Sequence, residues 1–173
     1  MNIKEVKNAI KIGYFVLQKH DKNLINIKYL PNISEDVLTS DVPRVYLFVQ
    51  DGIIKKIGGS AGEGGIKATM NSYVFAMSGN PSASRFVCHL LIAEALKAGS
   101  NVEVYMITSP KVSGTINGLF SSKEVEMASF REMEELCKED YYSREKRYPD
   151  WNFKENNEPY PKRLISLYNY YKK

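Results

Sequence analysis

Between Arg44 and Ile57 two apolar runs, Arg44-Val-Tyr-Leu-Phe-Val-Gln50 and Ile53-Ile-Lys-Lys-Ile57, are separated only by Asp51-Gly52. β-Branched and aromatic residues favour the pleated strand, and Asp-Gly suits a two-residue hairpin turn, whose central residues need positive φ. The segment therefore predicts two antiparallel strands, and the rest of the chain must pack around them. Directly after them, Gly58-Gly-Ser-Ala-Gly-Glu-Gly-Gly65 is too glycine-rich to hold regular structure and favours turns and close backbone approach. With 173 residues and 43% hydrophobic content, the chain has room for one well-cored domain with modest additions.

Helical spacing governs most of what flanks the hairpin. Ile66, Met70, Val74 and Met77 predict a helix ended by Gly79-Asn80-Pro81, and a second helix runs from Arg85 to Ala98, stopping at Gly99. Val102 to Thr108 reads as a third strand, followed by a Ser/Gly/Pro loop to about Ser122. A long helix is expected from Glu124 to about Arg147, with Met127, Phe130, Met133, Leu136 and Cys137 on one face, and a short one from Arg163 to Tyr171. At the other end, Ile3, Val6, Ile10 and Val16 or Leu17 predict an amphipathic helix over 2–20. Residues 24–43, with a helix cap at Ser34, read as a connecting arm. The order strand, strand, helix, helix, strand, helix predicts an α+β fold. Its expected form is a small three-stranded antiparallel or mixed sheet flanked by helices, with N-terminal and C-terminal helical additions. The segments are an N-terminal helix and arm over 1–43, a core over 44–157 and a C-terminal tail over 158–173.

Several function classes drop out. No stretch is long and apolar enough for a membrane span, and the start lacks the pattern of a signal peptide, so a cytoplasmic protein without membrane contact is expected. Cys88 and Cys137 sit inside apolar helical patterns, which fits buried thiols better than a disulfide or a zinc site. The glycine segment lacks the Gly-Lys-Ser/Thr ending of a P-loop and does not join a parallel strand to its helix, so nucleotide binding is the weaker alternative. A net charge of +4 is compatible with nucleic acid without arguing for it.

The motifs carry that argument. Val45-Tyr46-Leu47 and Lys56-Ile57-Gly58-Gly59-Ser60 stand on paired strands about ten residues apart, and Tyr148-Pro-Asp-Trp-Asn152 closes the region. In order and spacing, Arg44 to Asn157 resembles the GIY-YIG nucleases, which carry two motif-bearing strands, a helix with a functional basic residue, a second helix, a third strand and a helix with a metal-binding glutamate. Lys56 replaces the tyrosine of the second motif, which points to the type II restriction endonuclease branch of the family. Lys67 stands where the family usually has arginine.

The resemblance implies a metal-dependent DNA endonuclease cleaving double-stranded DNA at a short specific site. A structure-specific repair or recombination nuclease, or a catalytically silent DNA-binding module, are the alternatives. Tyr46, its acidity raised by Lys56, is the implied general base. Lys67, at the start of a helix whose free amides favour anions, is the implied phosphate contact, with Arg85 as its competitor. His89 reads as a core histidine, and Asn71 lies one turn beyond Lys67. Among Glu132, Glu135 and Glu139, which share a helix face, Glu132 is the first choice of metal ligand and Glu139 the second, for Mg²⁺ or Mn²⁺. Gly59, Ser60, Lys67 and Arg85 are expected at the DNA. One site per chain implies a homodimer at a symmetric target, with the N-terminal stripe and Leu164, Leu167 and Tyr168 as dimer or DNA-clasping elements.

Overall fold

In the computed structural model, every residue is described except His20, Asp21, Ala128 and Lys173. His20, at the end of the expected N-terminal helix, and Ala128, within the expected long helix, thus lie outside the described residues, as do the side chains of Glu126 and Met127. The elements are β1 (Ile10–Leu17), β2 (Ile25–Tyr29), α1 (Glu35–Thr39), β3 (Arg44–Gln50), β4 (Ile53–Ser60), α2 (Gly65–Val74), α3 (Ala83–Lys97), β5 (Val102–Thr108), β6 (Val112–Asn117), β7 (Ser122–Met127), α4 (Phe130–Glu145) and α5 (Lys162–Tyr171). Five strands form one antiparallel sheet in the order β2-β1-β5-β3-β4, and β6 pairs with β7 in a separate ribbon. The fold is α+β. Among the described residues no helix is long and apolar enough to cross a membrane.

The β3–β4 hairpin forms as expected. Asp51 and Gly52 take φ of 49° and 83°, as its two-residue turn requires. β4 runs further than its apolar residues suggest, since Gly58, Gly59 and Ser60 stay paired with Tyr46, Val45 and Arg44. β3 lies between β5 and β4 and is buried on both faces, which is why its sequence is continuously apolar and shows no alternation. On one face Tyr46 and Phe48 pack with Ile12, Phe15 and Met106 against Ile66, Met70 and Tyr73 of α2 and Cys88 and Ile92 of α3. On the other, Val45, Leu47, Val49, Ile54 and Ile57 meet Ile3 and Tyr141, with Met133 and Cys137 of α4 alongside.

Three expectations need correction. The N-terminal segment is not a helix: a single 3-10 turn at Ile3–Glu5 leads into β1, which pairs with β2 and β5 and makes the sheet continuous across position 43. Residues 10–17 are mostly β-branched or aromatic, and the sheet buries Ile12 and Phe15 while leaving Ile10 in solvent; a bulge between Lys11 and Gly13 breaks the strict two-residue alternation and leaves a spacing that resembles a helix. The arm over 24–43 contains β2 and α1, whose Ser34 cap forms as expected. The expected loop after β5 and the first turns of the long helix are instead β6 and β7. Lys123 and Glu124 of Ser122-Lys-Glu-Val-Glu-Met127 suit helices, but here they are exposed on a ribbon whose strand pairs with Val112–Asn117.

The terminal stripes are used within the chain. Ile3 and Leu164 are buried, Val6 packs beside the α4 face, and Tyr168 rests on Phe86 with ring centroids 5.5 Å apart, while Leu167 stays exposed. His89 is fully buried, and its Nε2 accepts the Leu24 N–H at 3.2 Å. The ring proton therefore sits on Nδ1, which donates to the Tyr73 carbonyl at 2.8 Å and joins the start of β2 to α2. Burial pushes the His89 pKa below its ordinary value, so the folded protein holds it neutral.

That depression fixes a pH dependence. Unfolded histidine takes up a proton below about pH 6.5, whereas folded His89 does so only at lower pH, so stability falls as pH drops from there toward the folded value. The slope is at most about 1.4 kcal/mol per pH unit. Denaturant titrations between pH 7.5 and 5 are expected to show this loss in the wild type and a flatter profile in His89→Gln, a less stable but still folded variant.

Candidate active site

Tyr46 lies on β3 directly across from Gly58 on β4. A Cβ at position 58 would come within 2.4 Å of the Tyr46 hydroxyl and 2.5 Å of its ring, so glycine is what lets the ring cross the neighbouring strand. The Tyr46 hydroxyl meets that of Tyr73 at 2.7 Å, and both tyrosines are buried. Burial holds the Tyr46 phenol above the ordinary tyrosine value, opposed by the Lys56 ammonium and by the Tyr73 hydrogen bond. Tyr73 is raised as well, by burial and then by Tyr46, so both phenols keep their protons at neutral pH and either oxygen can be the donor of the pair.

Lys56 stands opposite Phe48, two residues before Gly58 and so on the same face as Tyr46. Its neighbour Lys55 pairs with Asp150 at 2.7 Å and so takes the solvated role. Lys56 is only 8% exposed. Burial works against its charge, but Cys88, Tyr46, Glu155 and Glu134 together hold its pKa above the usual lysine value. Burial also raises the Cys88 thiol, so at neutral pH Cys88 and Tyr46 keep their protons and the two carboxylates are the charges that act on Lys56.

The carboxylate on the far side of the strand is Glu134. A Cβ on Gly59 would lie 2.6 Å from its Oε2 and 3.0 Å from the Phe130 ring, so a second missing side chain lets α4 settle against β4. Lys138, one turn on, bridges Glu134 and Glu155 at 2.6 Å each. Hydrogen bonds from Lys138 hold the Glu155 carboxyl below its ordinary value despite burial, which acts the other way. Asn152 secures the edge: its side-chain carbonyl accepts the Ile57 N–H at 2.9 Å and its amide donates to the Ile57 carbonyl at 3.0 Å.

The structure gathers some expected residues and separates others. Tyr46, Lys56 and Gly59 come together, and Ser60 joins them through a 2.8 Å hydrogen bond to Thr69 of α2. Glu132 and Glu139 are exposed on α4, as is Glu135, and Glu134 takes the inward place. The sheet-facing stripe of α4 is the half-buried Phe130, Met133 and Cys137 with the buried Tyr141; at about 100° per residue Glu134 lies roughly 55° from its centre and Glu132 roughly 145°. The expected stripe of Met127, Phe130, Met133, Leu136 and Cys137 already centres nearer to Glu134, roughly 65° away, than to Glu132, roughly 135° away. Lys67 pairs with Glu35 of α1 at 2.5 Å, and Asn71 is exposed. Arg85, exposed near the start of α3, is the cation whose charge reaches the Tyr73 hydroxyl. Tyr73 and Glu155 carried no motif signal; tertiary packing alone brings them in.

No protein-family model and no curated protein matches the sequence. Among solved structures, the restriction endonuclease HPY188I in complex with product DNA is matched with TM-score 0.47 and 20% identity, over 85% of this chain and 80% of that one, a likeness too low to carry an argument. A mutant of bacteriophage T4 EndoII is matched with TM-score 0.57 and 20% identity, over 88% of this chain and 98% of the other. At that identity the likeness is one of fold, and it extends over nearly the whole of both chains.

Proposed function

We propose that the protein is a metal-dependent DNA endonuclease, a type II restriction enzyme of GIY-YIG type that hydrolyses a phosphodiester of duplex DNA in the cytoplasm at a short specific site. The observation that carries this reading is the joining of a buried Tyr46–Lys56 pair to the Glu134 carboxylate across two glycines of one edge strand. The fold shared with T4 EndoII supports it.

Phosphodiester hydrolysis needs a base for the attacking water and positive charge on the phosphate oxygens. Tyr46 is the base, taking the water proton as phenolate; Tyr73 donates a hydrogen bond to its oxygen and Lys56 balances its charge. Arg85, with Lys67 as the second choice, faces the phosphate; the exposed Lys67–Glu35 pair is worth about 0–1 kcal/mol and yields readily to one. Glu134 is the ligand for Mg²⁺ or Mn²⁺, with Glu155 beside it. The fit rests on the donor chemistry: two hard carboxylates already held around one ammonium. Among the described residues no group of three metal-ligating side chains occurs, and Mg²⁺, which keeps most of its waters, needs only one or two carboxylates. The bound ion would supply positive charge to the phosphate and the departing oxygen. With one such site per chain, two subunits are required to cut both strands of a symmetric target together.

Purified protein with plasmid DNA and Mg²⁺ is expected to give discrete fragments. Cutting confined to branched or damaged DNA would select a repair nuclease, and salt-sensitive binding without cleavage a silent DNA-binding module. Tyr46→Phe and Glu134→Gln should each lower the rate by roughly 10²–10⁴-fold, whereas Glu132→Gln and Glu139→Gln should leave it within about twofold. Gly58→Ala should match Tyr46→Phe, because the new methyl displaces the ring. Since Tyr46 is a phenol at neutral pH, the rate should rise about tenfold per pH unit through the mildly alkaline range, and the slope should vanish in Tyr46→Phe. Sedimentation with a cognate duplex should show two subunits; a monomer cutting both strands in one encounter would overturn the dimer.

A further inference from the structure

Between β5 and α4 the chain leaves the sheet as the β6–β7 ribbon, paired from Val112 opposite Met127 to Asn117 opposite Ser122. Gly118 to Ser121 close it, the Gly118 N–H donating to the Ser121 carbonyl at 2.7 Å. At the apex Leu119 is 93% exposed and Phe120 100%. Hairpin tips are ordinarily built from Gly, Asn, Asp and Ser, which supply the turn conformations and suit water. Leu and Phe do neither, and two adjacent large apolar side chains in full solvent have no local structural purpose. The ribbon behind them is exposed, polar at Ser113, Thr115, Asn117, Ser122 and Lys123 and apolar at Val112 and Ile116.

Both ends of the ribbon are rooted at the candidate site. Thr108, the last residue of β5, and Ser60, the last of β4, flank Arg44 of β3 on its two sides. On its return the ribbon feeds α4, whose Phe130 lies against Gly59 and whose Glu134 is the site carboxylate. Strands of this length extend about 20 Å, the rise of about six base pairs. A duplex held at the site is thus within the ribbon's reach.

We propose that the ribbon is a DNA-engaging arm whose apex residues, Leu119 and Phe120, enter between stacked base pairs of the substrate duplex and unstack them, while the exposed strands behind line a groove. The inference rests on the DNA-cleaving reading above. A second copy of the chain is the poorer occupant: the two apex side chains, even with the half-exposed Val112 and Ile116 behind them, offer on the order of 500 Å², against the roughly 800 Å² that each partner buries in a stable protein interface. One base step accommodates a wedge of this size.

The test compares wild type with the double variant Leu119→Ser, Phe120→Ser. Both are bound to plasmid-derived duplex fragments in Ca²⁺ with permanganate reporting unstacked thymines, and both are assayed for cleavage in Mg²⁺. The wild type should produce discrete reactive thymines. The variant should produce none and bind about tenfold or more weakly, with thermal melting and sedimentation without DNA unchanged. Equal affinity and an equal permanganate pattern in the two proteins would overturn the arm. So would a wild-type assembly, formed without DNA, that falls to monomers on substitution, since the tip would then belong to a second copy. Wild type that unstacks DNA but cuts nothing would defeat the nuclease reading and leave the arm standing; cutting with no loss of affinity or unstacking in the variant would do the reverse.

Discussion

The passage of the Tyr46 ring over β4 at Gly58 is the contact on which the rest of the site depends. A phenol of this size would ordinarily lie beside the side chain opposite it, and here that side chain is missing. The hydroxyl is thereby carried past the strand to Tyr73, where both buried oxygens find a partner; a buried hydroxyl without one would cost about 1–3 kcal/mol. One residue on, Gly59 does the same service for the opposite face, where Glu134 rests against the backbone. Two consecutive glycines thus bring a phenol and a carboxylate from opposite faces of a sheet to one stretch of strand. Such a meeting is possible only at an edge, and β4 is the edge of the five-stranded sheet.

Charge follows from the same placement. Lys56 is buried, and an ammonium without counter-charges there would be forced toward its neutral form. Glu134 and Glu155 prevent this, themselves kept apart by Lys138, so the cluster alternates in sign. The exposed pairs elsewhere, Lys67 with Glu35 and Arg163 with Glu94, are of another kind: solvent screens them and they contribute little to the fold.

The helices that carry the site are fixed by the two cores of the sheet. α2 and α3 present Tyr73 and Cys88 because Met70, Val74 and Ile92 are buried beneath them. α4 presents Glu134 because Met133, Cys137 and Tyr141 lie on the other face. The N-terminal strands widen the sheet on the side away from β4, filling it with Ile12 and Phe15 and leaving the site edge open.

What the sequence by itself determined was local. The Asp51-Gly52 turn between two β-rich runs, the two helices after the glycines, the third strand and the terminal helix are all legible because each is encoded by residues within a few positions of one another. The juxtaposition of Tyr46 with Lys56 is not legible in the same way: the turn alone would set Lys55 opposite Phe48, and a bulge on β4 at that point brings Lys56 and Gly58 to the Tyr46 face instead. Tertiary structure decided the rest. Whether Ile3, Val6 and Ile10 form a helix stripe or flank a strand depends on β5 offering an edge about ninety residues away. Whether 122–127 begins a helix or pairs with 112–117 depends on the ribbon partner, because its charged residues tolerate either state in solvent. The rotation of α4 was within reach of its own apolar stripe, which lies nearer Glu134 than Glu132; what only the fold supplied was the company of that carboxylate, Gly59 of β4 on one side and Glu155 across Lys138 on the other, because contacts between distant segments leave no local pattern.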